Sequence, residues 1–439
     1  MFENVIGQKI TDQIIGDLDA GLLAPAMLFS GPPSSGKGTA ALELSRVISC
    51  RANPRGSWNC TCIDCSSHRI LNHPDILCLG SRNFYAEILA SGSALQRDST
   101  SKTLFIRSVR KLLSRFNPIL WEDDPKASRI SSMVLSMDED LNEFEQINLT
   151  EPMKENTNLY KLVNSIIKNS LKLESDGLTD NIPIGHIRKA AWWSRLSPVG
   201  NAKLMLLENA DRMENESRNS LLKILEEPPA KLSLVLTTTR AQALIPTILS
   251  RLRVYRFVQR ETEAENEVIR RVFKDNEVSV NGINNYIDSF LPVSHDTLNN
   301  LAAYFAASAA YRSVLISKKT GKPVSKEVIM LGKYCTPIAE KAGYGRPNAN
   351  QALLVEFIMG KAEKFEIRSL FSRFLSSLFS LISESLKNLS PESYPRAAFY
   401  TMCLEKINWA DNASKIYRLR SAQVLEKLFT DLSRSMSET

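Results

Sequence analysis

At 439 residues the chain is long for one hydrophobic core, so about two to three domains of about 100–200 residues each are expected. Hydrophobic residues make up 43% and charged residues 23%, which excludes a chain disordered throughout. The net charge of +7 permits contact with nucleic acid without demanding it, and neither a basic-then-apolar start nor a run near the roughly 18 apolar residues of a membrane helix is present, so a cytoplasmic protein is expected.

The first element is a strand, Met27-Leu-Phe-Ser30, followed by a loop and a helix expected from about Lys37 to Ser49. The loop, Gly31-Pro32-Pro33-Ser34-Ser35-Gly36-Lys37, fits the phosphate-binding pattern, in which backbone N–H groups and a helix N-terminus surround one phosphate and the lysine reaches the outer oxygens. A bound nucleotide, with ATP one possible ligand, is expected ahead of a glycine turn that holds nothing, and hydrolysis is a separate question. The next position usually carries the hydroxyl that binds Mg²⁺; here it is Gly38, with Thr39 one place later, so the side-chain ligand for that ion is missing.

Four of the seven cysteines follow at once, as Cys50, Cys60, Cys62 and Cys65. Four thiolates close a tetrahedral Zn²⁺ site, and Cys62-x2-Cys65 is the usual half-site, although Cys60-x-Cys62 is tighter than normal. A structural zinc is expected ahead of free or partly paired thiols, with His68 near enough to replace one cysteine.

Residues 81 to about 181 are rich in Ser, Asn, Asp and Lys and show few strong periodic runs, so the segment reads as an insertion between two halves of one sheet domain. Its basic stretch, Arg107 to Arg115, is matched by an acidic one, Asp138 to Glu145, and a solvated surface is expected there.

A second α/β block runs from about Ile182 to Phe257, with strands at Leu204–Leu207 and Leu232–Leu236, the latter closing on Thr237-Thr238-Thr239. Short apolar strands alternating with helices predict a parallel sheet. The first strand ends in Glu208, where a metal-coordinating acid would sit, and then in Asn209, an amide that orients water but accepts no proton. A helix follows and stops at Pro228-Pro229. Arg251, by default a salt-bridged surface residue, follows the last strand. Beyond Gln259 the pattern turns helical, with Ile367, Leu370, Phe371, Phe374, Leu375, Leu378, Phe379 and Ile382 marking one amphipathic helix and Pro391 and Pro395 separating it from a final helical stretch. That helix suits packing either against partner helices or within its own bundle.

Together these pieces resemble a subunit of the sliding-clamp loader of bacterial DNA polymerase III, in the AAA+ superfamily. Phe2-Glu-Asn-Val-Ile-Gly-Gln8 is similar to the family's opening box near the adenine, Leu28 to Lys37 to its phosphate loop, the cysteines to its zinc module, and His73-Pro-Asp75 to the segment after the zinc. Asn219 to Pro229 is close to its most specific signature, Thr237-Thr238 looks like its first sensor, and Ser250-Arg251 matches two letters of its Ser-Arg-Cys motif, with Leu252 replacing the cysteine.

The resemblance implies a P-loop AAA+ module over 1–257, with the zinc module at 50–65 and the insertion inside it, a helical lid over 258–317, and an all-α collar over 318–439 that holds a pentameric ring. It also implies partners: gamma/tau and delta subunits, the sliding clamp, and primed DNA through the complex. The motor subunit usually shows Asp-Glu where this chain has Glu208-Asn209, so the non-hydrolysing delta-prime type is expected, with Arg251 acting as a finger on a neighbour's ATP. A gamma/tau-type motor is one alternative. A small-molecule phosphotransferase is another, since Gly31 to Thr39 is also similar to the adenylate kinase loop.

Overall fold

A computed structural model describes the chain except for residues 81, 150–156, 180, 278–281, 363–367, 388–393, 416–418 and 439. Five parallel strands, β1 (Ala26–Ser30), β2 (Ile76–Leu79), β3 (Lys203–Leu207), β4 (Leu232–Thr238) and β5 (Arg253–Arg256), form one sheet in the order β2-β3-β4-β1-β5. The parallel sheet expected from the alternation is therefore present. Two of its strands, β2 and β5, were not separable in the sequence: β2 is four residues long, and β5 alternates exposed Arg253 and Arg256 with buried Tyr255.

Continuous apolar runs in β1 and β3 reflect burial on both faces. Met27, Phe29, Leu204 and Leu206 join one core with Ala40, Leu44 and Val47 of α2 (Lys37–Ser49), while Leu28, Met205 and Leu207 point to the opposite core. Helix α1 (Ile10–Asp19) packs its Ile14 and Leu18 into the first of these. Phe29 meets Tyr255 edge-on at 5.7 Å, closing the sheet at β5.

The second core is supplied largely by the β2–β3 crossover. It holds α4 (Tyr85–Arg97), α5 (Lys102–Leu113), α6 (Pro118–Trp121), α7 (Ala127–Gln146), α8 (Thr157–Gly177) and α9 (Ile184–Arg195), while the short α3 (Ile63–Arg69) precedes β2. Here the expectation of a solvated segment is corrected: Phe105, Val109, Leu112, Leu141, Phe144, Val163 and Leu173 are fully buried, and Arg110 and Arg115 are each only 5% exposed. Apolar residues spaced by three, four and seven, as in Ile130, Met137, Leu141 and Phe144, line one face of each helix beneath a polar majority. After β3, α10 (Asn215–Glu226) ends ahead of Pro228-Pro229, and α11 (Pro246–Leu249) precedes β5. Helices α12 (Thr262–Phe273) and α13 (Ile283–Asp288) complete a compact unit, Met1–Phe290.

The second unit, Leu291–Thr439, is helical among its described residues: α14 (His295–Thr320), α15 (Lys326–Lys341), α16 (Gln351–Lys361), α17 (Arg368–Ser385), α18 (Tyr394–Lys415) and α19 (Ser421–Glu438). Position 317, the expected end of the lid, lies inside α14, and α12 and α13 belong to the first unit. Small residues such as Ala302, Ala306 and Ala309 allow α14 to be surrounded, and its Phe305 meets Phe374 at 5.7 Å and Phe429 at 5.6 Å. The stripe on α17 is thereby assigned: Leu370, Phe371, Phe374, Leu375, Leu378 and Ile382 are at most 2% exposed within this unit, so they bury in their own bundle. Ile367 and Pro391 lie outside the described residues. Among the described residues no helix is long and apolar enough to cross a membrane.

Candidate nucleotide site and cysteine centre

Parallel sheets place ligands outside the carboxyl ends of their strands. There, β1 delivers the loop 31–36, β3 delivers Glu208 and Asn209, and β4 delivers Thr237 to Thr239 around a cavity of about 620 Å³. Pro33, Ser34, Ser35, Gly36, Lys37, Gly38 and Thr39 line it, as does Asn4 from the opening segment. Gly36 takes φ 94° immediately before α2, where a Cβ would sit 2.6 Å from Arg260 Nη2.

The loop is held from both sides. Lys37 Nζ donates to the carbonyls of Gly31 at 2.8 Å and Pro32 at 2.5 Å and to Ser35 Oγ at 3.2 Å. Arg260, 8% exposed, donates through Nη1 to the Ser34 carbonyl and through Nε to the Ile6 carbonyl at 2.7 Å. Arg260 was not singled out in the sequence, because it lies beyond the last strand and no local pattern aims it back. Gln8 makes a two-way bond with the Val258 backbone, at 2.7 and 3.1 Å, that anchors the opening segment beside it.

Burial pushes the Lys37 ammonium down to about 8, Glu208 opposing and Arg260 reinforcing the shift. A bound phosphate would favour the charged form, so binding between that value and the ordinary 10.5 takes up a proton. ATP affinity is therefore expected to be full below pH 8 and to fall above it, by at most about tenfold per pH unit. Calorimetry in buffers of different ionisation enthalpy measures the uptake; an affinity that stays level through the alkaline range contradicts it.

Glu208 sits at the end of β3 with its carboxylate ion-paired to Arg115 and 3.4 Å from Arg82 Nε. Burial opposes its charge, but Arg82, Arg115 and Lys111 outweigh that and hold its pKa below the usual range. Glu87 is similarly clamped, by Arg82 at 2.7 Å and Lys111 at 2.5 Å; burial opposes its charge, yet the two cations bring its pKa down to about 2. These three cations, Arg82, Lys111 and Arg115, come from the segment expected to be solvated surface or its margin. Their signal in the sequence was only the interleaving of Arg and Lys with apolar residues from Arg107 to Arg115.

Thr238, the expected sensor, points away from the cavity: its hydroxyl donates to Asp211 Oδ1 at 2.7 Å, while Thr237 and Thr239 line the wall. Alternation along the strand separates them. Asn209 lines the wall with φ 54°. Arg251 is outside the cavity lining, donating to Glu226 Oε1 and to the Thr247 carbonyl, each at 2.8 Å, with its side chain 36% exposed.

Cys50, Cys60, Cys62 and Cys65 converge at the C-terminal end of α2 and the start of α3, their sulfurs all within 4.8 Å of one another. The Cys50–Cys60 separation of 3.7 Å is near the edge of a tetrahedron with metal–sulfur bonds of about 2.3 Å, so the donor set fits a metal ion. Arg46 Nη1 donates to Cys65 Sγ at 3.3 Å and the Gly56 N–H to Cys50 Sγ at 3.4 Å, an outer layer that orients the sulfurs. His68 is not in the cluster; its ring is buried and stacked on His73 at 4.1 Å. Trp58, within the module, and Arg107, which donates to the Arg69 carbonyl, also line the cavity at the strand ends.

The family model described as "DNA polymerase III, delta subunit" matches residues 6–261. Among solved structures, a DNA polymerase III gamma subunit-related protein from Thermotoga maritima is 18% identical, with 60% of this chain and 82% of that chain covered and a TM-score of 0.28. No curated protein matches the sequence.

Proposed function

The chain belongs to the DNA polymerase III delta subunit family, and from that premise we propose that it is a clamp-loader subunit of delta-prime type, binding ATP without hydrolysing it. One observation carries the reading: the carboxylates lining the cavity are Glu87 and Glu208, both committed to ion pairs with arginine or lysine, and Asn209 is neutral. In-line attack on a γ-phosphate needs a group that orients and deprotonates water, and no carboxylate on this wall is available for it. Arg251, outside the cavity, is the group the subunit would present to ATP bound by a neighbour.

The partners are gamma/tau and delta subunits in a pentameric ring, the sliding clamp, and primed DNA reached through the complex. Residues 258–317 would act as the lid and 318–439 as the collar, meeting other subunits through surfaces other than the buried stripe of α17. The cysteine centre would hold structural zinc. The open cavity and intact Lys37 favour a second reading, a gamma/tau-type motor; family membership leaves the phosphotransferase reading without support.

The test is phosphate release by the isolated full-length chain with ATP. Release at the uncatalysed background is expected, with ATP still bound. Robust turnover abolished by Lys37→Ala would instead make this subunit a motor.

A further inference from the structure

We propose that this cavity binds its nucleotide without a divalent cation, the Arg82 and Arg115 guanidinium groups standing where Mg²⁺ would be needed. The inference deepens the nucleotide-binding reading and rests on it. A magnesium site in a phosphate loop takes a hydroxyl after the lysine and a carboxylate across from it. Neither is available here. A Cβ at Gly38 would sit 2.7 Å from Glu208 Oε1, so a serine or threonine there would collide with the carboxylate unless that group moved. Glu208 itself is ion-paired to Arg115, whose side chain is 4% exposed, and to Arg82 at 3.4 Å.

The residues present therefore do not fit Mg²⁺. They fit the bare polyphosphate instead. Eight cationic side chains line the cavity against two carboxylates, an excess that supplies from the protein the charge a metal ion would otherwise bring. Arginine suits this role because its planar fork can hold a carboxylate and still offer N–H groups to a phosphate oxygen. Glu208 then acts as a positioning residue, fixing the two guanidinium groups.

ATP binding to the full-length chain, measured by calorimetry in EDTA and again in excess Mg²⁺, tests this. Affinities agreeing within about threefold, or weaker binding with Mg²⁺, are expected. Binding at least about tenfold tighter with Mg²⁺ overturns the inference while leaving nucleotide binding intact. Absence of binding in both conditions overturns the nucleotide reading and this inference with it. Glu208→Gln separates the roles further: as a metal ligand its loss would weaken binding only in Mg²⁺, whereas loss of a residue that positions Arg82 and Arg115 weakens binding in EDTA and in Mg²⁺ alike. Arg115→Gln is expected to weaken binding in EDTA about tenfold or more and to make it respond to Mg²⁺. Unchanged binding in a folded Arg115→Gln variant would count against the inference. Should that buried position not tolerate change, Arg82→Gln, at a side chain 31% exposed, gives the same readout.

Discussion

Replacing Arg251 with alanine is expected to lower ATP turnover at the neighbouring site of a reconstituted clamp loader by about a thousandfold, the range seen when a finger arginine acting on the transition state is lost. Little else should change. The side chain is 36% exposed and its ion pair with Glu226 joins two surface groups, a kind of contact worth about 0–1 kcal/mol, so folding should hold. ATP binding by this chain should also hold, since Arg251 does not line its own cavity. Lysine is not an adequate replacement, because the guanidinium offers two parallel donors and an ammonium a single point. The measurement is single-turnover hydrolysis in the assembled complex with wild-type and variant subunit. Unaltered turnover would remove the finger role and return Arg251 to the ordinary surface residue that its sequence context suggested.

Loss of the proposed zinc should have a comparably large effect on this chain alone. Structural zinc is worth roughly 10–16 kcal/mol of folding free energy, as much as the whole stability of many domains, so Cys65→Ser or exhaustive chelation should unfold the segment that carries the four cysteines. The damage should extend into the cavity at the carboxyl ends of the strands. Trp58 packs beneath Arg46, Arg69 and Arg107 at 5.5–5.9 Å, and Trp58 and Arg107 both form part of the cavity wall. Elemental analysis near one zinc per chain, fast amide exchange across the module after chelation, and weakened ATP binding are the expected results. A metal-free chain with the same melting temperature and exchange pattern would refute the zinc assignment.

Local features proved easy to read and distant ones did not. Lys37–Ser49 is the helix expected, because the loop glycines and the apolar spacing that define it are contiguous. The four cysteines could be grouped by spacing alone, since a single turn of α3 brings Cys62 and Cys65 together. The stretch Arg107 to Arg115 is buried rather than solvated, and the reason is the opposite one. A buried arginine depends on its partner, and Arg115 finds Glu208 across 93 positions of chain. The strand expected over Leu232–Leu236 extends to Thr238, and the hydroxyl of Thr238 meets Asp211, a direction that follows from pleat and register and that no local pattern records.

Composition, spacing and short motifs were thus sufficient to determine an α/β fold with a parallel sheet, a cysteine centre and a helical C-terminal part, because backbone periodicity and loop chemistry act over a few residues. The identity of the groups that neutralise Glu208, the inward burial of the α17 stripe, and the hold of Arg260 on the phosphate loop were decided by tertiary structure alone. Charge pairing and burial belong to residues that meet only once the sheet has formed, and no local pattern records which cation will face which carboxylate.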